Sequence, residues 1–453
     1  MITVAERVVV EFAGPGAGEA ELSWGQRDIW LAMVRQESWL PNGAWGPLPA
    51  GTSVDDVAGQ LRYLMSRFPT ARTRLTFDDA GHPRQVVAGA GQITLEVVDA
   101  GADDPAAVAE AVRLRYQEDP YDFAADWPIR MAAIRSGGAL THSVVVMCHL
   151  VTDGFGAGVL LDELARREDA PLPELQPIEQ AGWQATPAGQ RQHGLAMRHW
   201  EGILRSMPLR RYRESTDPRQ PRHWRGEFTS YALAPALRAV TARTGVGSAP
   251  ALLAMFAVAL ARVTTANPVV LRPMVNNRFR PGLDRVVCML AQYGICSLDV
   301  ADATLAEALD RARRSAMTTY KHAYYDPAEL DALVARVVAE RGPALELPGY
   351  FNDRRGEPAD LPVPAALSEV AARSEFRWTT RQDVPFEPLI VHVDDLPDDG
   401  VGLIVFMDTH VISPADTEAL LRGVEAVAVE AALDPSASTG VHSSSERPSV
   451  SSS

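Results

Sequence analysis

The chain is poor in cysteine: Cys148, Cys288 and Cys296 are the only three among 453 residues. They form no CxxC pair, share no Cys/His spacing that would gather a metal, and by their odd number cannot complete a disulfide set. The expectation is a reducing cytoplasm, with no bound metal. Basic charge is scarce too, 43 Lys and Arg against 58 Asp and Glu, for a formal net charge of -15. That balance argues against nucleic acid as a partner, because neutralising phosphates takes a basic face. Long apolar runs are also lacking. The longest, Ala249 to Leu260, is interrupted by Pro250 and falls short of the roughly 18–20 residues of a membrane span. The opening "MITVAERVVVEF" has no basic stretch ahead of an apolar core, so no secretory signal is read. These absences together describe a soluble, cytoplasmic protein without a membrane partner.

What is present is enough apolar material, 46% of residues, for two packed domains of ordinary size. Ser23 precedes Gln26, Ile29, Trp30 and Met33 at helical spacing and is placed to cap a helix. A second amphipathic helix aligns Val57, Leu61, Leu64 and Phe68. Between about 167 and 190 the chain becomes proline-rich without sustained periodicity, which reads as a crossing between domains. Beyond it the pattern predicts helices near 197–204, 249–263 and 304–320, and strands near 268–275, 293–299, 389–394 and 401–407. A last helix opens at "SPADTE", with Ser413 as cap and Pro414 in its first turn. The resulting division is 1–170, a crossing at 171–190, a second domain over 191–435, and a serine-rich tail over 436–453 expected to be disordered.

One segment carries chemistry. "VVVMCHLVTDGFGAG" (144–158) places His149 at the end of an apolar, β-branched run that reads as a strand covered on both faces. A glycine-rich connection follows, with Gly154, Gly156 and Gly158, and leads into helical spacing. A histidine there could be a satisfied core residue. It is equally placed to meet a substrate, since glycine allows close backbone approach, a helix N-terminus offers free N–H groups, and imidazole titrates near neutrality.

"CHLVTDG" resembles the HHxxxDG motif of the condensation domains of nonribosomal peptide synthetases and related thioester-dependent acyltransferases. His149 matches the second motif histidine, Asp153 the aspartate and Gly154 the glycine, while Cys148 stands where the first histidine would be. Further segments are similar in order: "LSWGQRDIW", "RFPTARTRL", "DPYDFAADWPIRMAAIR", "RPMVNNRFRPGLDRVVCMLAQYGICSL" and "YKHAYYDPAEL". Within the fourth, Arg278 takes the place of the family arginine.

The resemblance implies an α/β fold of two chloramphenicol-acetyltransferase-like sandwich lobes in a V around a central tunnel. It implies a free-standing condensation enzyme that moves an acyl group from a phosphopantetheine thioester, on an acyl or peptidyl carrier protein or on CoA, to a small-molecule amine or alcohol. No cofactor is expected to stay bound. His149 would be the base or positioning group, and the N–H of Gly154, whose glycine reads as a backbone requirement, would face the developing oxyanion. Asp153 and Arg278 would form a bracing ion pair. Cys148, Tyr293 and Asn352 are candidates to line the tunnel, although strand alternation turns Cys148 away from His149. Arg72 and Arg74 read as surface or interlobe charges. Arginines between 198 and 226 could form a basic docking patch. The competing reading is a catalytically inactive module that recruits a carrier protein or tailoring enzyme.

Overall fold

The computed structural model describes residues 3–443 apart from 168–169, 211, 213–214, 344, 357–360, 364–365 and 385–386. The chain forms two compact units that do not follow one another simply along the sequence. Unit 1 comprises Met1–Gly194, Asn276–Gln292 and Tyr324–Glu329; unit 2 comprises the remainder. Part of the "RPMVNNRF…" segment and part of "YKHAYYDPAEL" therefore leave their sequence neighbours to join unit 1.

Unit 1 is built on a five-stranded sheet in the order Val4–Ala13, Ala90–Asp99, Ile129–Ser136, Ala139–Cys148, Pro41–Pro47. Ala139–Cys148 pairs antiparallel with both of its neighbours, so its backbone donors and acceptors are used on both edges. Both faces are covered, as the unbroken apolar run predicts. Val144, Val146 and Cys148 join one core with Val112, Tyr116 and Ile134. Val145 and Met147 pack against the other, which holds the helix Val54–Arg67 through Val57, Leu61 and Leu64.

Local sequence accounts for the helix ends. Ser23 and Gln26 form a capping box at Trp24–Gln36, Ser53 and Asp56 another at Val54–Arg67. The proline-rich crossing holds more structure than its composition suggests. A helix spans Pro177–Ala185 and another Pro187–Ser206, each with proline at its first position, where the missing N–H costs nothing. The first of these belongs to unit 1.

Unit 2 holds a mixed sheet in the order Val269–Val275, Tyr350–Asp353, Leu389–Leu396, Gly400–Asp408, His223–Ser230, Glu375–Gln382, with Cys296–Leu298 also paired to Val269–Val275. Helices Leu233–Thr244, Ser248–Thr264, Leu305–Lys321 and Pro414–Leu433 contribute to its core. Every residue from Ala251 to Ala261 is buried, so this helix is apolar all round because protein surrounds it. Among the described residues, no single helix is long and apolar enough to cross a membrane.

Three expectations are corrected. Arg72 is not a surface charge: it is fully buried, and its guanidinium donates to the carbonyls of Gly14, Pro15 and Ala88. The start of the serine-rich tail is ordered within unit 2: Thr439 and Val441 are buried, and the Thr439 N–H donates to Ala303 O at 2.8 Å. Its remainder, 444–453, lies outside the described residues. Finally, four of the arginines expected to form a basic patch between 198 and 226 are already paired. Arg205, Arg219, Arg222 and Arg225 each face a carboxylate, from Glu340, Asp217, Asp408 and Glu227 respectively.

Candidate active site

The strand Ala139–Cys148 stops one residue before His149, and the chain turns through 149–151 before Asp153 caps the helix Gly154–Arg166. His149 is half-buried, and its Nδ1 lies 3.0 Å from the carbonyl oxygen of Thr152. A carbonyl only accepts, so Nδ1 carries the proton in this contact. In the neutral ring the lone pair is then on Nε2. The motif's own loop thus sets both ring orientation and tautomer.

Asp153 serves two structures at once. Its Oδ1 accepts from the Gly156 N–H at 2.8 Å, capping the helix. The same carboxylate pairs with Arg278 Nη1 at 2.8 Å and accepts the N–H groups of Leu290 and Ala291 at 3.0 and 2.9 Å. Both partners of the ion pair are buried, Asp153 4% and Arg278 7% exposed. Arg278 Nη2 also donates to the carbonyls of Val286 and Cys288 at 3.0 and 3.1 Å. These contacts tie 276–292 to the motif.

Gly154 opens the helix, ahead of the first intrahelical bond from Ala157 N to Asp153 O. Its N–H therefore lies outside the helical ladder, at the end where the peptide dipoles present positive charge. A Cβ on Gly154 would meet nothing within 4 Å, so the expected backbone requirement is not a steric one. The crowded glycine is Gly156, where a Cβ would come within 2.2 Å of Thr152 Oγ1 and 2.7 Å of Arg278 Nη2. The sequence placed it only within a glycine-rich connection; Arg278, which it crowds, lies 122 positions away.

Cys148, a candidate to line the tunnel, packs into the core of unit 1. It is buried, with Sγ 3.6 Å from the Trp39 carbonyl, and burial pushes its thiol up to about 12. Alternation explains the placement: Val144, Val146 and Cys148 face one core together. The structure gathers His149, Asp153, Gly154 and Arg278 in unit 1, whereas Tyr293 and Asn352 belong to unit 2. There the Tyr293 ring packs on Tyr350 with centroids 4.1 Å apart, and Asn352 Nδ2 donates to His392 Nδ1 at 3.2 Å. Among the described residues, no group of three or more His, Cys, Asp or Glu side chains is arranged to hold a metal ion.

Comparison with known proteins gives a consistent result. A family model described as condensation domain matches residues 43–341. Cyclosporin synthetase simA of Tolypocladium inflatum is 25% identical over 289 residues, 60% of this chain and 2% of the synthetase. The chain thus spans a small fraction of that relative. Among solved structures, the condensation domain from the Monacolin K polyketide synthase MokA superposes with a TM-score of 0.71 at 17% identity, over 93% of this chain and 99% of that one. The complex of the X-domain and OxyB from teicoplanin biosynthesis gives 0.66 at 19% identity, over 94% and 96%. The fold shared with these structures is the two-lobed, chloramphenicol-acetyltransferase-like α/β fold.

Proposed function

Because the chain belongs to the condensation-domain family, we propose that it is an acyltransferase that joins an acyl group to an amine or alcohol. The donor is a thioester on the phosphopantetheine arm of an acyl or peptidyl carrier protein, or on CoA, brought to this chain in trans. The observation that carries the reading is the His149 geometry: Nδ1–H held by Thr152 O leaves the Nε2 lone pair to act on the acceptor. As the acceptor nitrogen or oxygen attacks the thioester carbon, its proton passes to Nε2, the C–S bond breaks, and the proton leaves with the thiol. Negative charge on the carbonyl oxygen in the tetrahedral state would be met by the helix N-terminus at Gly154. Asp153 and Arg278 touch no reacting atom in this scheme and position the loop. Tyr293 and Asn352 remain proposed tunnel-lining residues.

The test is to incubate the protein and its His149→Ala variant with acyl thioesters on carrier protein, pantetheine and CoA, mixed with amines and alcohols. Mass spectrometry then looks for new amides or esters. We expect product from the parent chain and a loss of about 10²–10⁴-fold in the variant, the usual size of a proton-transfer contribution. A second reading, recruitment of a separate protein without catalysis, is favoured by Cys148 at the first motif position and by the likeness to a domain known in complex with OxyB. Thioester consumption that does not exceed the blank, with a carrier or other protein still bound, would decide for it.

A further inference from the structure

On unit 1 a concave site of about 460 Å³ opens where two helices end. Trp24–Gln36 finishes at Glu37 and Pro105–Glu118 at Asp119. The walls are aromatic: Trp39 and Tyr121 stack at 4.8 Å, Phe123 meets Tyr121 edge-on at 4.9 Å, and Trp30 meets Phe123 at 5.1 Å. The rim is acidic, with Glu37, Glu118 and Asp119 all exposed and all lining the site. No arginine, lysine or histidine lines it. Among the described residues, none of the three carboxylates is in an ion pair.

Each of these features favours positive charge. Helix C-termini carry the negative end of the peptide dipoles, carboxylates add full charges, and the faces of aromatic rings attract cations. The chain already places one cation beside the cluster. Arg130 lies 4.9 Å from the Trp39 ring and donates to the carbonyls of Tyr116, Asp119 and Pro120. Arg130 is paired with Asp126 at 3.5 Å and with none of the three rim carboxylates. The volume suits a small ligand, and the aromatic walls suit an apolar body behind the charge.

We infer that this groove binds a small organic cation, an ammonium on an aliphatic or aromatic body. The site stands independently of the acyl-transfer reading, though it backs onto the same strand end: the Trp39 carbonyl is the group that Cys148 Sγ approaches, one residue before His149.

Isothermal titration of the full chain with benzyltrimethylammonium, and with neopentylbenzene as its uncharged isostere, tests the assignment. The expected result is saturable binding of the cation, weaker by about ten-fold or more for the isostere. A Glu37→Gln, Glu118→Gln, Asp119→Asn triple variant, changed only at exposed positions, should lose about ten-fold in affinity. Val34→Arg, at an exposed lining residue, should abolish binding, and His149→Ala should leave it unchanged. Equal binding of the isostere, no binding of the cation, or an unaltered affinity in the triple variant would each overturn the inference.

Discussion

Asp153 receives a helix N–H, two loop N–H groups and a guanidinium while almost fully buried. Removing its charge leaves Arg278 buried and uncompensated, which costs more than the pair itself contributes. Asp153→Asn should therefore lower unfolding stability by about 3–5 kcal/mol in denaturant titration, and Asp153→Asn with Arg278→Met should recover part of that loss. The two motif glycines should separate in the same assay. Gly156→Ala drives a Cβ into Thr152 and Arg278 and should destabilise the fold, whereas Gly154→Ala meets open space and should fold like the parent. All three thiols are pushed up to about 12 by burial. Iodoacetamide at neutral pH should accordingly label none of them until the protein is denatured, as mass spectrometry of the alkylated chain would report.

Among the elements, the helix Pro414–Leu433 shows what local sequence specifies. Ser413 Oγ accepts the Asp416 N–H at 3.1 Å, Pro414 fills the first turn, and Ser413→Ala should cost about 1 kcal/mol by the same titration. Strands and helices with strong periodicity were legible in this way, including the buried helix Ser248–Thr264 and the strand leading to His149. The helix Pro177–Ala185 and the first half of Pro187–Ser206 were obscured because proline punctuates loops and opens helices alike, while the second half was expected near 197–204. In the candidate site, His149 and its loop could be read from adjacent residues. The Asp153–Arg278 pair is 125 positions apart and was legible only through a family resemblance. Leu290 and Ala291 bind Asp153 through backbone N–H groups, which carry no side-chain signature. Arg72 misled for a related reason: its partners are three carbonyls, and sequence does not show a carbonyl turning inward.

For the whole molecule, charge and connectivity matter most. Burial lowers the pKa of His199, His223 and His392, the last to about 4, and all three lie in unit 2. Well above the ordinary histidine pKa of about 6.5 these rings are neutral in folded and unfolded chains alike. As pH falls from there toward 4, the unfolded chain takes up protons that the folded chain refuses, so stability declines through that window. Denaturation midpoints at pH 7.5, 6 and 5 should fall in that order, and His392→Gln should flatten the trend. The connectivity has a different consequence. Asn276–Gln292, which supplies Arg278, is encoded between parts of unit 2, so no single cut of the gene yields one complete unit. Exchange of halves between homologous genes by one crossover after residue 194 would pair the Asp153 of one parent with the Arg278 of the other. The two ends of that ion pair must therefore be inherited as if they were neighbours.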